Sequence, residues 1–131
     1  MTVTDQKYRP GEHLKRKTYI RKVFSDGCSL YVFPIRFVYA SIARESEHQY
    51  AQIGVSVSKR FFRKATDRNK IKRWLREAYR KNKYLVDLNK QTLYAGMFIY
   101  TGKQLPDYVT IEKSMQALLK QFTTLENRKN E

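Results

Sequence analysis

The chain has 131 residues, the size of one ordinary domain, and 41% of them are hydrophobic, enough for one modest core. It contains no run of about 18 apolar residues, which argues against a membrane-spanning helix, and the opening Met1 to Lys7 lacks the apolar stretch of a secretory signal. Twenty-seven Lys and Arg against twelve Asp and Glu give a net charge of +15. Such an excess repels itself unless a polyanion neutralises it, and nucleic acid fits best because each neutralised phosphate releases condensed counterions. A membrane surface fits less well, since it would need a basic face opposite an exposed apolar one.

Residues 1–13 are polar and broken by Pro10-Gly11, and read as a flexible basic arm. From 14 to 125 the pattern is that of one folded domain, and 126–131 read as a frayed polar tail. Thr18 to Asp26 reads as a short helix with Tyr19, Ile20, Val23 and Phe24 on one side. Gly27 stands where a helix end favours left-handed backbone. Cys28, the only cysteine, cannot form an internal disulfide; it suits a reducing cytoplasm and the role of a small, partly buried filler.

Strands follow. Ser29 to Val32 is short, Pro34 interrupts, and Ile35 to Ile42 is β-branched and aromatic. Phe37 and Tyr39 share one face of that strand, and either face could be the buried one. Glu45, Glu47 and His48 lie in a polar connection and read as loop. Tyr50 to Lys59 alternates, with Ile53, Val55 and Val57 on a buried face and Gly54, Ser56 and Ser58 on a face open to a ligand.

Thr66 or Asp67 can cap a long helix running to about Lys83. Its apolar positions Ile71, Trp74, Leu75, Ala78 and Tyr79 have the spacing of a helix packed on a sheet. Opposite them gather Asn69, Lys72, Arg73, Arg76 and Arg80, a stripe whose one nearby acid, Glu77, lies off it. Arg offers a planar fork to phosphate oxygens, and Asn can hydrogen-bond a ribose hydroxyl or a base edge. With Lys59 and Arg60 just upstream, the stripe is the candidate nucleic-acid-binding surface. Ala95 to Thr101 forms a last strand, closed by Gly102, and a helix from near Thr110 buries Ile111, Met115, Leu118, Leu119 and Phe122. The element order αβββαβα, with one core, predicts a single-domain α+β sandwich.

Ten Tyr and seven Phe could supply stacking platforms for single-stranded bases. Catalytic constellations are missing from the sequence. His13 has no evident partner in the arm, and there is no Cys/His metal spacing, Gly-rich phosphate loop or nucleophile elbow. The acids are scattered, whereas a metal-dependent protein nuclease would cluster carboxylates. No small-molecule substrate is suggested.

Ile53-Gly54-Val55-Ser56-Val57-Ser58-Lys59-Arg60, followed by Arg68-Asn69-Lys70-Ile71-Lys72-Arg73-Trp74-Leu75-Arg76-Glu77, resembles the bacterial ribonuclease P protein family. That family pairs a Ser-Val-Ser-Lys strand with an Arg-Asn-Arg-x-Lys-Arg-x-x-Arg-Glu helix. Weaker similarity extends the match over roughly residues 14–123.

The resemblance implies a left-handed βαβ crossover through the long helix, against the usual handedness. It also implies a cytoplasmic subunit of an endoribonuclease whose large RNA, with Mg²⁺, carries the chemistry. The partners would be that ribonuclease P RNA and precursor tRNA, whose 5′ leader is released.

Residue by residue, Arg68, Asn69, Lys72, Arg73 and Arg76 match the RNA-contacting helix motif. Lys17, Ile20, Phe24, Phe37, Tyr39, Ser56 and Ser58 fall at positions of a leader-binding cleft. Ile20 stands where the family often has an aromatic, Lys70 replaces the second motif arginine, and Phe61 to Asp67 replace the family's turn with a longer one. A structural RNA binder such as a ribosomal protein would share the charge and fold class, and is separated from this reading only by the strand–helix motif. An independent protein nuclease is disfavoured by the scattered carboxylates.

Overall fold

A computed structural model describes residues 13–14, 17–43, 51–86 and 93–129. Helix α1 spans Lys17–Asp26, strand β1 Cys28–Val32, β2 Ile35–Ile42, β3 Gln52–Val57, helix α2 Ala65–Asn82, β4 Leu93–Tyr100 and α3 Tyr108–Lys129. One 3₁₀ turn, Lys83–Leu85, extends α2. The strands form one mixed sheet in the order β1-β2-β4-β3. Antiparallel ladders join β1 to β2 and β2 to β4, while β3 and β4 run parallel and are connected through α2. The expected α+β sandwich and element order are therefore the ones observed.

The pleat decides which residues meet the helices. Ile35, Phe37 and Tyr39 of β2, Ile53 and Val57 of β3, and Tyr94, Phe98 and Tyr100 of β4 share one sheet face. They are buried with Ile71, Leu75, Ala78 and Tyr79 of α2 and Ile111, Met115, Leu118, Leu119 and Phe122 of α3. Against the opposite face lies α1. It presses Val23 onto Ala40, Ile42, Leu93 and Ala95, with Leu14, Tyr19 and Val38 at the margin. Polar bonds also tie the two helices of the first face together. Asn82 Nδ2 donates to the Ala78 carbonyl at 2.8 Å, and Gln116 Nε2 donates to Asn82 Oδ1 at 3.1 Å, linking α2 to α3.

Several local expectations are corrected. The N-cap of α2 is Lys64, without a side-chain bond, and the helix begins before Thr66 and Asp67 can cap it. Asp67 instead lies in the first turn, where a negative charge favours the helix dipole. Helix α3 starts earlier than Thr110 because Asp107 Oδ1 accepts the Thr110 N–H at 2.8 Å. Gly27 does not adopt left-handed backbone. Its need is space: a Cβ there would lie 2.0 Å from the Val23 carbonyl oxygen and 2.8 Å from that of Tyr39. Cys28, expected to be partly buried, is exposed at the start of the edge strand β1. His13 pairs with Ile53 in a parallel bridge, and the Leu14 N–H donates to the Ile53 carbonyl at 3.0 Å. The chain is thus already fastened at residue 13, while residues 1–12 of the expected arm lie outside the described residues. Glu45, Glu47 and His48 also lie outside them.

The largest correction at the C-terminus is Glu126. It was expected to begin a frayed tail, yet it is buried within α3. Its carboxylate accepts hydrogen bonds from the Tyr39 hydroxyl at 2.8 Å and the Tyr94 hydroxyl at 2.9 Å. A buried carboxylate needs such donors, and the two tyrosines supply them from adjacent strands.

Burial, and then the bond to Glu126, push the Tyr94 hydroxyl up to about 12 and raise that of Tyr39 as well. Because both folded-state values exceed the ordinary value of about 10, their contribution to stability is complete below pH ~10 and is lost as pH rises towards the folded-state values. The stability gap between the native chain and Tyr94→Phe should therefore be constant through neutral pH and narrow above pH ~10. Urea melts across that range measure it; a gap that stays constant throughout would show that Tyr94 does not carry the linkage.

Candidate nucleic-acid interface

Helix α2 turns its apolar stripe to the core, and so its other side is fixed facing outward. Asn69, Arg73 and Arg76 are exposed and Lys72 is half-buried. Lys72, Arg73 and Arg76 have no ion-pair partner among the described residues, and Asn69 adds a neutral amide beside them. The sequence-derived stripe thus exists as one cationic face, with one of its expected members, Arg80, otherwise engaged.

Arg80 grips Glu77 with both ends of its fork, Nε to Oε2 at 3.1 Å and Nη2 to Oε1 at 2.6 Å. The Arg80 guanidinium holds the Glu77 carboxyl below the usual carboxylate range, and Lys81 stands 3.9 Å away. Glu77 is therefore not clear of the stripe, as the sequence suggested; it closes the C-terminal end.

Arg68 is also committed. Its Nη1 donates to the carbonyls of Phe62 at 2.7 Å and Arg63 at 2.8 Å. Those bonds pin the loop leading into α2 while Phe62 sits buried against Tyr100. The motif arginine thus shapes the turn that leads into α2. Arg68→Ala should cost about 1–3 kcal/mol of stability, the range for orphaned polar groups, whereas Arg73→Ala should leave a thermal melt unchanged. Equal melts for the two variants would remove this structural role. Lys70, the departure from the motif, lies 5.0 Å over the Trp74 ring.

Lys59 and Arg60 are exposed in the turn after β3. Ser58 closes that turn, its hydroxyl accepting the Arg60 N–H at 3.1 Å.

The expected cleft residues divide. Ser56 lies on the sheet face that α2 and α3 leave open, in a row running Tyr31, Arg36, Ile99, Ser56 across all four strands. The next row is Ser29, Val38, Met97, Gly54. Lys17, Ile20 and Phe24 share a flank of α1 one residue round from Tyr19 and Val23, with Phe24 55% exposed. Phe37 and Tyr39 are not part of this surface. They lie on the other face, 2% and 3% exposed, with Phe37 stacked on Phe98 at 4.3 Å and Tyr39 edge-on to Phe122 at 4.7 Å. The open-face residues of β2 are Arg36 and Val38, one register position away. A charge at 36 was the available signal, because alternation then puts 35, 37 and 39 inside.

Among the described residues no three His, Cys, Asp or Glu side chains gather to hold a metal ion. No helix there is long and apolar enough to cross a membrane. The surface offers cations, hydroxyls and an open sheet face, which suit binding of a polyanion.

The sequence profile of the ribonuclease P family matches residues 9–123. The ribonuclease P protein component of Porphyromonas gingivalis (strain ATCC 33277) is 40% identical over 111 residues, covering 82% of this chain and 80% of that protein. That of Thermotoga maritima is 36% identical over 75 residues, 57% of this chain and 60% of its own length. The solved ribonuclease P protein from Thermotoga maritima superposes with a TM-score of 0.67 at 27% identity, over 84% of this chain and 96% of that one. A Staphylococcus aureus ribonuclease P protein has the same fold, with a TM-score of 0.66 at 21% identity over 85% and 94% of the two chains. With the strand–helix motif, the sandwich and a match over most of its length in agreement, the chain belongs to the ribonuclease P protein component family.

Proposed function

We propose that this ribonuclease P subunit acts in tRNA 5′ maturation by binding two RNAs: the catalytic RNA of the enzyme and the leader of precursor tRNA. The observation that carries the reading is the outward face of α2, where Lys72, Arg73 and Arg76, beside the Asn69 amide, have no ion-pair partner among the described residues. Unpaired Arg forks on a rigid helix are placed to meet phosphates without first breaking a salt bridge. That face takes the catalytic RNA, together with Lys59 and Arg60.

The leader takes the open sheet face, where Ser56, Val38, Arg36 and Tyr31 lie across the strands, beside the α1 flank of Lys17, Ile20 and Phe24. Hydroxyls, a cation and small apolar side chains suit an unpaired strand, whose backbone and bases are both accessible. In this reading the RNA holds Mg²⁺ and carries the chemistry in the cytoplasm, while the protein binds and orients.

The test is cleavage of precursor tRNA by a ribonuclease P RNA at low Mg²⁺, with and without the purified chain. Addition of the chain should raise kcat/KM, and the chain alone should cut nothing. Lack of stimulation would overturn the reading, as would cleavage by the chain without RNA.

A further inference from the structure

At the sheet end where β1 turns into β2 and β4 leaves for α3, a group of large apolar side chains lies uncovered. Phe33 is 68% exposed, Leu105 47% and Phe61 40%. They are not scattered. Phe33 and Leu105 line one hollow of about 410 Å³ with Thr101, Gly102 and Lys103. Lys103 Nζ in turn lies 5.5 Å from the Phe61 ring centroid, and the Arg60 guanidinium carbon lies 5.6 Å from the same ring. The turn is braced from below, since the Pro34 carbonyl accepts both the Thr101 N–H at 2.8 Å and its hydroxyl at 3.0 Å. Rings are thus held out on a supported edge, with cations beside them that have no carboxylate partner among the described residues.

Water-exposed rings of this size are unfavourable without a partner. The flanking charge selects among partners: Arg60 and Lys103 would oppose a basic surface, including a second copy of this +15 chain, and would favour an anion that also carries flat apolar groups. Single-stranded RNA has both, phosphates for the cations and base faces for the rings.

We propose that Phe33 and Phe61, with Arg60 and Lys103, form a second single-strand RNA site beyond the open sheet face, taking unpaired nucleotides by stacking without a fixed sequence. The site rests on the RNA-binding reading above but uses residues distinct from the α2 stripe and the α1 flank, apart from Arg60.

The experiment compares the full chain with Phe33→Leu/Phe61→Leu, which keeps apolar bulk and removes the rings, for binding to a fluorescent oligouridylate and to a blunt RNA duplex. The rings are exposed, so the urea melt should match the native one. Oligouridylate affinity should fall by at least about fivefold, the lower end for one lost base stack, with duplex affinity unchanged. Oligouridylate affinity within twofold of native, or an equal fall on the duplex, would overturn the site. So would a native chain that sediments as a dimer and a variant that does not, since the patch would then be a self-association surface. Binding of ribonuclease P RNA by the native chain is measured alongside: if it is intact while the oligouridylate result fails, the site falls alone, and if it too is absent, the functional reading falls with it.

Discussion

Tyr39→Ala should lower stability by about 3–5 kcal/mol, the range for truncating a buried aromatic. Tyr39 is stacked with Phe37 at 5.2 Å and meets Phe122 and Tyr94 edge-on, so its removal opens a cavity bounded by three rings. It also takes one hydroxyl donor from the buried Glu126 carboxylate. Tyr39→Phe isolates that second effect, because the ring stays; it should cost about 1–3 kcal/mol. Small domains have roughly 5–15 kcal/mol in total, so the alanine variant loses a large share and its urea midpoint should fall clearly. Affinity for precursor tRNA should then fall to the same extent with and without a leader, in step with the folded fraction. A near-normal melt with a leader-specific loss would instead return Tyr39 to the cleft and contradict its burial between the sheet and α3.

The contrast between Phe37–Tyr39 and Arg36–Val38 shows how far sequence reaches. β-Branched and aromatic composition located β2 from Ile35 to Ile42, and periodicity gave Ile71, Leu75, Ala78 and Tyr79 as the inner face of α2, because burial repeats with the element's own period. It could not by hydrophobicity alone choose the face of a strand that is apolar on both sides, as β2 is with α1 on one face and α3 on the other. Arg36 carried the answer, whereas Phe37 and Tyr39 were placed in the cleft by the family resemblance alone. Glu126 was missed for a different reason. A carboxylate near a polar terminus looks solvated unless its partners are known, and Tyr39 and Tyr94 are distant in sequence. Arg68 was legible as a cation but not as a loop anchor, since carbonyl acceptors leave no mark in the sequence. The stripe itself was legible because helical geometry fixes it once the buried side is known, whereas the bidentate hold of Glu77 on Arg80 depends on side-chain conformation that sequence does not encode directly.

Arg73→Ala/Arg76→Ala should flatten the salt dependence of binding to ribonuclease P RNA by about two units of log–log slope, at roughly 0.9 per lost phosphate contact on a duplex. Both side chains are exposed and opposite Ile71 and Ala78, so neither contributes to the core and the melt should be unchanged. The native chain should therefore outbind the variant most at low salt, with the advantage shrinking about tenfold over a fourfold rise in salt. That follows from the slope and needs no assumption about which phosphates are touched. Arg80→Ala provides the internal control. Its guanidinium is already satisfied by Glu77, so its loss removes a cation and releases a carboxylate beside Lys81 at the same time. The change in slope there should be smaller than for Arg73→Ala alone. If all three arginines gave equal slopes, the stripe would act as diffuse positive charge. If Arg73 and Arg76 exceed Arg80, the unpaired forks of α2 make discrete phosphate contacts, and the ion pair with Glu77 marks where that surface ends.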